Sequence, residues 1–173
     1  MPEVVNFSSV EALRDGRRVE IRALRHEDRN GLEEAVSRAS DESVRRRFFS
    51  VRHHLSEQEI EFFSNIDFVS HVALVVVAVE GEEPHIVGSG RYIVVEPARA
   101  EIAFALVDEY QGQGIGAVLM RHLATIARDA GLKEFIAEVL PENTAMLKVF
   151  KKSGLHPTIR PEAGIVHVML RLS

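Results

Sequence analysis

The chain has no cysteine among its 173 residues. That excludes a disulfide framework, a thiolate metal site and a cysteine nucleophile. Long hydrophobic runs are missing too. The longest, residues 72–79, has the length of a strand and is far too short to cross a bilayer. The opening residues, Met1-Pro2-Glu3-Val4-Val5-Asn6, show no basic stretch followed by an apolar one, so no signal peptide is read there. The expectation is a cytoplasmic protein with no membrane partner. A basic excess is also lacking: the formal charge of −5 argues against nucleic acid as a partner, because duplex binding needs a basic face. Eight histidines are scattered, only His53-His54 are adjacent, and no His-Glu-x-x-His occurs, so no metal is expected. A Gly-x-Ser-x-Gly nucleophile elbow is absent. So are internal repeats, low-complexity tracts and long linkers.

What is present is the profile of one globular domain, 46% hydrophobic and 27% charged, long enough to bury a substantial core. The domain is read over residues 18–173, after a lead-in at 1–17 that carries a short helix at 9–14. Residues 18–24 alternate Val19, Ile21 and Ala23 with charged neighbours, a strand with one wet face. Residues 27–40 repeat Leu32, Ala35, Val36 and Ala39 at helical spacing, and Ser56-Glu57-Gln58-Glu59 is a capping box that opens a second helix. The β-branched run 72–79 reads as a strand buried on both faces. Strands 85–95 and 100–107 follow through short turns, which predicts an antiparallel meander. A helix over 114–130, a strand at 134–140, a helix over 143–153 and strands at 155–159 and 165–172 complete the chain. Gly131 stands where a C′ glycine ends the longer helix. The fold class is α+β (three-layer α/β), with one mixed sheet of six to seven strands and about four helices. Arg45-Arg46-Arg47, with Arg52 nearby, is either a solvated face or a contact for an acidic substrate or for phosphates.

The informative stretch joins the third meander strand to the long helix. Gln111-Gly112-Gln113-Gly114-Ile115-Gly116-Ala117 places glycines at alternate positions as a helix opens. Glycine lets a backbone turn tightly and approach a ligand closely. The helix start adds unsatisfied N–H donors and partial positive charge, so an anion is favoured there. A P-loop would need Gly-Lys-Ser/Thr, and Gly116-Ala117-Val118 supplies neither the lysine nor the hydroxyl. A dinucleotide fold places its glycine loop in the first turn of a parallel sheet, whereas this loop follows a meander. A glycine-rich turn that binds nothing is the remaining alternative.

Gln111 to Gly116 resembles the Gln/Arg-x-x-Gly-x-Gly/Ala motif of the GNAT superfamily, and the element order from Arg18 to Leu172 is similar to that fold. The resemblance implies acetyl-CoA as co-substrate, its diphosphate held by backbone N–H groups of residues 111–117. It implies a sheet splayed between the family's fourth and fifth strands, here 100–107 and 134–140. Pantetheine would then pair with the backbone of Ala105, Leu106 and Val107. It also assigns Asn143, at the head of the next helix, to the cofactor site.

Acyl transfer to an amine needs a base, because an ammonium with a pKa of about 10.4 cannot attack a thioester. Glu101 is the candidate. Side chains alternate along a strand, so Glu101 shares a face with Ala103, Ala105 and Val107, and the two alanines leave room for a substrate. Glu101-Ile102-Ala103-Phe104 also resembles the catalytic strand of histone acetyltransferases in the superfamily. Ala105 N–H is the expected oxyanion donor. Many members use a tyrosine in Asn-x-x-Ala-x-x-x-Tyr as acid; here that place holds Phe150, which cannot donate a proton. Thiolate, with a thiol pKa of about 8.5, is a tolerable leaving group unaided. Tyr110 is read as packing beside the loop.

Ser43 to Phe49, Leu55-Ser56 and Ile66-Asp67-Phe68 are similar to the GNAT domains of bacterial protein-lysine acetyltransferases. That implies an amine acceptor, small molecule or protein lysine, for a monomer or homodimer. The contrasting class is a non-catalytic acyl-CoA sensor; Phe150 leans that way and Glu101 the other.

Overall fold

The computed structural model describes residue 4 and residues 6–28, 66–80, 83–107 and 110–172. Their strands are β1 (Ser8–Ala12), β2 (Arg18–Ala23), β3 (His71–Glu80), β4 (Glu83–Glu96), β5 (Arg99–Leu106), β6 (Glu134–Val139), β7 (Thr158–Glu162) and β8 (Ile165–Arg171). The described helices are α1 (Ile115–Asp129) and α2 (Thr144–Lys151). All the strands join one mixed sheet in the order β1-β2-β3-β4-β5-β6-β8-β7. The helices read at 27–40 and from Ser56, the Arg45-Arg46-Arg47 cluster and His53-His54 lie outside the described residues.

The meander forms as its pattern requires. In β3 the run Val72 to Val76 is buried throughout, and alternation divides it between two layers. Val72, Leu74 and Val76 pack in the large core with Leu119, Leu123 and Ala127 of α1. Ala73 and Val75 join Leu24 and Ile86 in a second cluster on the other face. Helix α1 ends at Asp129, and Gly131 follows with φ 87°, the left-handed residue that closes a helix without a Cβ penalty.

Residues 9–14 are not helical. Ser8 to Ala12 form β1, paired antiparallel with β2 from Ser8↔Arg22 to Ala12↔Arg18. A segment this short cannot offset the cost of helix nucleation, whereas an open sheet edge offers a ladder at once. This strand raises the sheet to eight among the described residues. β7 starts at Thr158 rather than 155, because Gly154 (φ 77°) and His156 (φ 52°) hold a turn and Pro157 has no N–H to pair.

After β2 a short 3-10 turn, His26–Asp28, buries Asp28. Burial alone would raise its pKa. Two bonds from Arg22, at 2.8 and 2.9 Å, and one from Arg25 N–H, at 2.7 Å, outweigh it and hold the carboxyl below its ordinary value. A depressed folded pKa contributes stability above the unfolded value, near 3.9, that is lost as pH falls through the folded one. Asp28→Asn is therefore expected to lower stability at neutral pH and to flatten the fall below about pH 4. Urea midpoints for both proteins from pH 7 to 2.5 check this; parallel curves would remove the ion pair from the account.

Candidate active site

The register of β4 and β5 arranges the site. Glu101 stands opposite Ile93, Ala103 opposite Arg91 and Ala105 opposite Ser89. Glu101 is exposed, the alanines beside it are small, and no hydrogen bond or ion pair holds it among the described residues. On the other face Ile102 joins the core, and Phe104 and Leu106 pack against it. These large side chains need glycine across the ladder. A Cβ on Gly90 would lie 2.9 Å from Phe104, and one on Gly88 would lie 2.6 Å from Leu106.

β5 and β6 run parallel and pair only at Arg99↔Glu134, Ala100↔Phe135 and Glu101↔Ile136. The Arg99–Glu134 ion pair fastens this closed end, and Lys133 and Glu134 both donate to Ala98 C=O. Beyond Glu101 the strands part, as the sequence resemblance implied. The gap is a cleft of about 590 Å³ including its solvent-open mouth. Glu101 and Phe104 line it from β5, Ala137 and Glu138 from β6, Asn143 and Phe150 from the α2 region. The Phe150 ring is buried, tilted against Phe104 at 6.3 Å between centroids.

Backbone direction decides which groups face the cleft. Val107 N–H donates to Val87 C=O toward β4, and Val107 C=O accepts from Tyr110 N–H. Direction alternates along a strand, so Ala105 also turns its N–H toward β4. The groups that face the unpaired edge belong to Phe104 and Leu106. The expected oxyanion donor thus moves by one residue, from Ala105 to its neighbours. Leu106 C=O already accepts a bond from Gln111 Nε2 at 3.1 Å.

The loop that follows is built to present donors. Gly112 (φ 77°) and Gly114 (φ 89°) adopt left-handed conformations that side chains with a Cβ resist. Gly114 is the N-cap of α1 and supplies no side-chain cap, while Ile115 anchors the first turn in the core. Gly116 allows α1 close to α2: a Cβ there would lie 3.2 Å from Val149. Ala117 is exposed on the same first turn. Among the described residues nothing accepts from the backbone N–H groups of Gln113, Gly114, Ile115, Gly116 or Ala117. Five consecutive donors at a helix start form a concavity suited to a phosphate. Asn143 caps α2, its Oδ1 accepting from Met146 N–H at 3.2 Å, and the residue lines the cleft. Tyr110 is buried under the Arg17 guanidinium, 4.1 Å from ring centre, and packs as expected.

Three features went unread in the sequence. Glu138 is a second acidic residue lining the cleft, from β6. Arg91, buried opposite Ala103, lies 3.1 Å from His71 Nε2. An arginine only donates, so Nε2 is the acceptor in this contact. The third feature is the β1–β2 turn, residues 13–17, which touches the glycine loop. Strand alternation would have put Arg91 on the Glu101 face, but only the register shows that it meets Ala103.

Known proteins agree with this architecture. The acetyltransferase (GNAT) domain family model matches residues 18–156. An acetyltransferase of Pseudomonas aeruginosa is 36% identical over 138 residues, 79% of this chain and 74% of the relative. The acetyltransferase Pat of Mycolicibacterium smegmatis is 34% identical over 129 residues, 73% of this chain; the match spans only 38% of that longer protein. The crystal structure of the GNAT domain of PAT from S. lividans superposes with a TM-score of 0.84 at 32% identity, covering 95% of this chain and 96% of that one. The chain therefore belongs to the GNAT family and is an N-acetyltransferase.

Proposed function

We propose that the chain transfers acetyl directly from acetyl-CoA to the side-chain amine of a protein lysine, with Glu101 as general base. The observation that carries the donor half is the row of N–H groups from Gln113 to Ala117 that have no acceptor among the described residues. The diphosphate sits on that row. The pantetheine arm enters the cleft, where the unpaired edge of β5 at Phe104 and Leu106 offers it a strand-like partner. Asn143 contacts the arm from the α2 side.

The amine reaches the thioester over Ala103 and Ala105. Glu101 takes its proton directly or through one water, the nitrogen attacks the carbonyl carbon, and the tetrahedral oxyanion accepts from an N–H of the open β5 edge. The adduct nitrogen gives up its second proton to solvent as the C–S bond breaks and the thiolate leaves. Phe150 supplies no proton, so CoA departs as thiolate and is protonated from solvent. The two carboxylates of the wall, Glu101 and Glu138, favour a cationic acceptor before deprotonation, and the lysine side chain fits that charge. The resemblance of Ser43 to Phe49, Leu55-Ser56 and Ile66-Asp67-Phe68 to the GNAT domains of bacterial protein-lysine acetyltransferases supports a protein target over a free metabolite. Glu101 in the cleft favours catalysis over a sensing role.

The test offers acetyl-CoA with acyl-CoA synthetases, lysine peptides and polyamines while free CoA is followed. Lysine-containing proteins or peptides are expected to give the fastest release, with acetyl-lysine detected by mass spectrometry. Faster turnover of a small amine such as a polyamine would refute the protein acceptor.

A further inference from the structure

Building on the donor-site reading above, we propose that the β1–β2 turn is a clamp that presets the phosphate loop from behind, with Arg14 as its positioning residue. Three contacts run from one short turn to one short loop. Arg14 Nη1 donates to Gly112 C=O at 3.4 Å. Asp15 N–H donates to Gln113 Oε1 at 3.2 Å. Arg17 lies over the Tyr110 ring and is itself held by Asp15 at 2.7 Å. Arg14 also lies along the loop, its Nε 3.7 Å from where a Cβ on Gly114 would stand.

The first contact matters through the geometry of the peptide unit. A trans peptide is planar, with its C=O and N–H pointing in opposite directions. Drawing Gly112 C=O toward the turn therefore aims Gln113 N–H away from it, to the side where the other free donors begin. The guanidinium on that carbonyl also polarises the peptide and strengthens its N–H as a donor. Glycines give the free loop many conformations, and like-oriented N–H dipoles oppose one another. A scaffold that removes those alternatives beforehand lowers the ordering cost of binding.

The turn is rigid enough to serve. Leu13 N–H donates to Arg17 C=O at 2.7 Å, Gly16 takes φ 91°, and Leu13 is buried in the main core. β1 is tied to α1 as well: His122 Nε2 lies 3.1 Å from Glu11.

Titration calorimetry of CoA against wild type, Arg14→Ala and Arg14→Gln tests the clamp, with S-acetyl-pantetheine, which lacks the diphosphate, as the control ligand. Arg14→Ala is expected to bind CoA roughly five- to twentyfold more weakly, about the lower end of the range for a hydrogen bond from a charged donor, because this contact is long and exposed. Glutamine, whose amide nitrogen ends where the arginine Nε stands, two bonds short of Nη1, is expected to restore little of that loss. Affinity for S-acetyl-pantetheine should be the same in all three. CoA affinity of Arg14→Ala within twofold of wild type would overturn the proposal. So would an equal loss with S-acetyl-pantetheine, the mark of a general fold defect. A wild-type chain that bound no CoA would instead refute the donor site, and the clamp with it.

Discussion

Replacing Glu101 by glutamine is expected to lower kcat at neutral pH by about 10²- to 10⁴-fold while leaving acetyl-CoA affinity within about twofold, the effect of removing a general base. Glutamine keeps the shape of the side chain and its place opposite Ile93 and beside Ile136. What it loses is the carboxylate that can accept the ammonium proton. The side chain is exposed and unpaired among the described residues, so stability should stay within about 0.5 kcal/mol. Steady-state kinetics from pH 6 to 10 make the test specific. The deficit should shrink at high pH, where free amine is supplied by solvent. A variant with full neutral turnover would assign the base elsewhere, first to Glu138 across the cleft.

Gly114→Val attacks the donor side. At φ 89° a β-branched residue pays a backbone penalty of about 1–3 kcal/mol, because left-handed conformations crowd its Cβ. The space itself is ordinary, with Arg14 at 3.7 Å as the nearest atom, so the penalty is one of conformation rather than collision with the protein. The loop relieves the strain by turning its peptides, and turned peptides no longer aim their N–H groups together. CoA affinity is expected to fall by at least about tenfold, on the scale of one or two lost charge-assisted hydrogen bonds. S-acetyl-pantetheine, which does not use the loop, should bind as before. CoA affinity unchanged from wild type would separate the bend from the diphosphate.

Much of this was legible in the sequence for reasons that are local. The run 72–79 is too apolar and too β-branched to be anything but a buried strand, and glycines at 112, 114 and 116 mark a helix start that exposes its N–H groups. Gly131 ended α1 as read. The readings that changed depend on tertiary partners. Residues 9–14 carry no strong strand signal of their own; the edge of β2 makes Ser8–Ala12 a strand. Ala105 N–H, the expected oxyanion donor, faces β4 instead of the cleft, because alternation fixes which residues share a face but not which edge of β5 stays unpaired. Arg91, Glu138 and Arg14 were missed because they reach the site across register, across the splay and from the other end of the chain.

The central claim is that the amides of residues 113–117 hold the diphosphate, and backbone amide NMR reads those atoms directly. Titrating the ¹⁵N-labelled chain with acetyl-CoA should give saturable downfield shifts concentrated at Gln113 through Ala117. Titration with S-acetyl-pantetheine should instead move the β5 edge and leave these amides in place. Saturable acetyl-CoA binding with residues 113–117 unmoved would contradict the account.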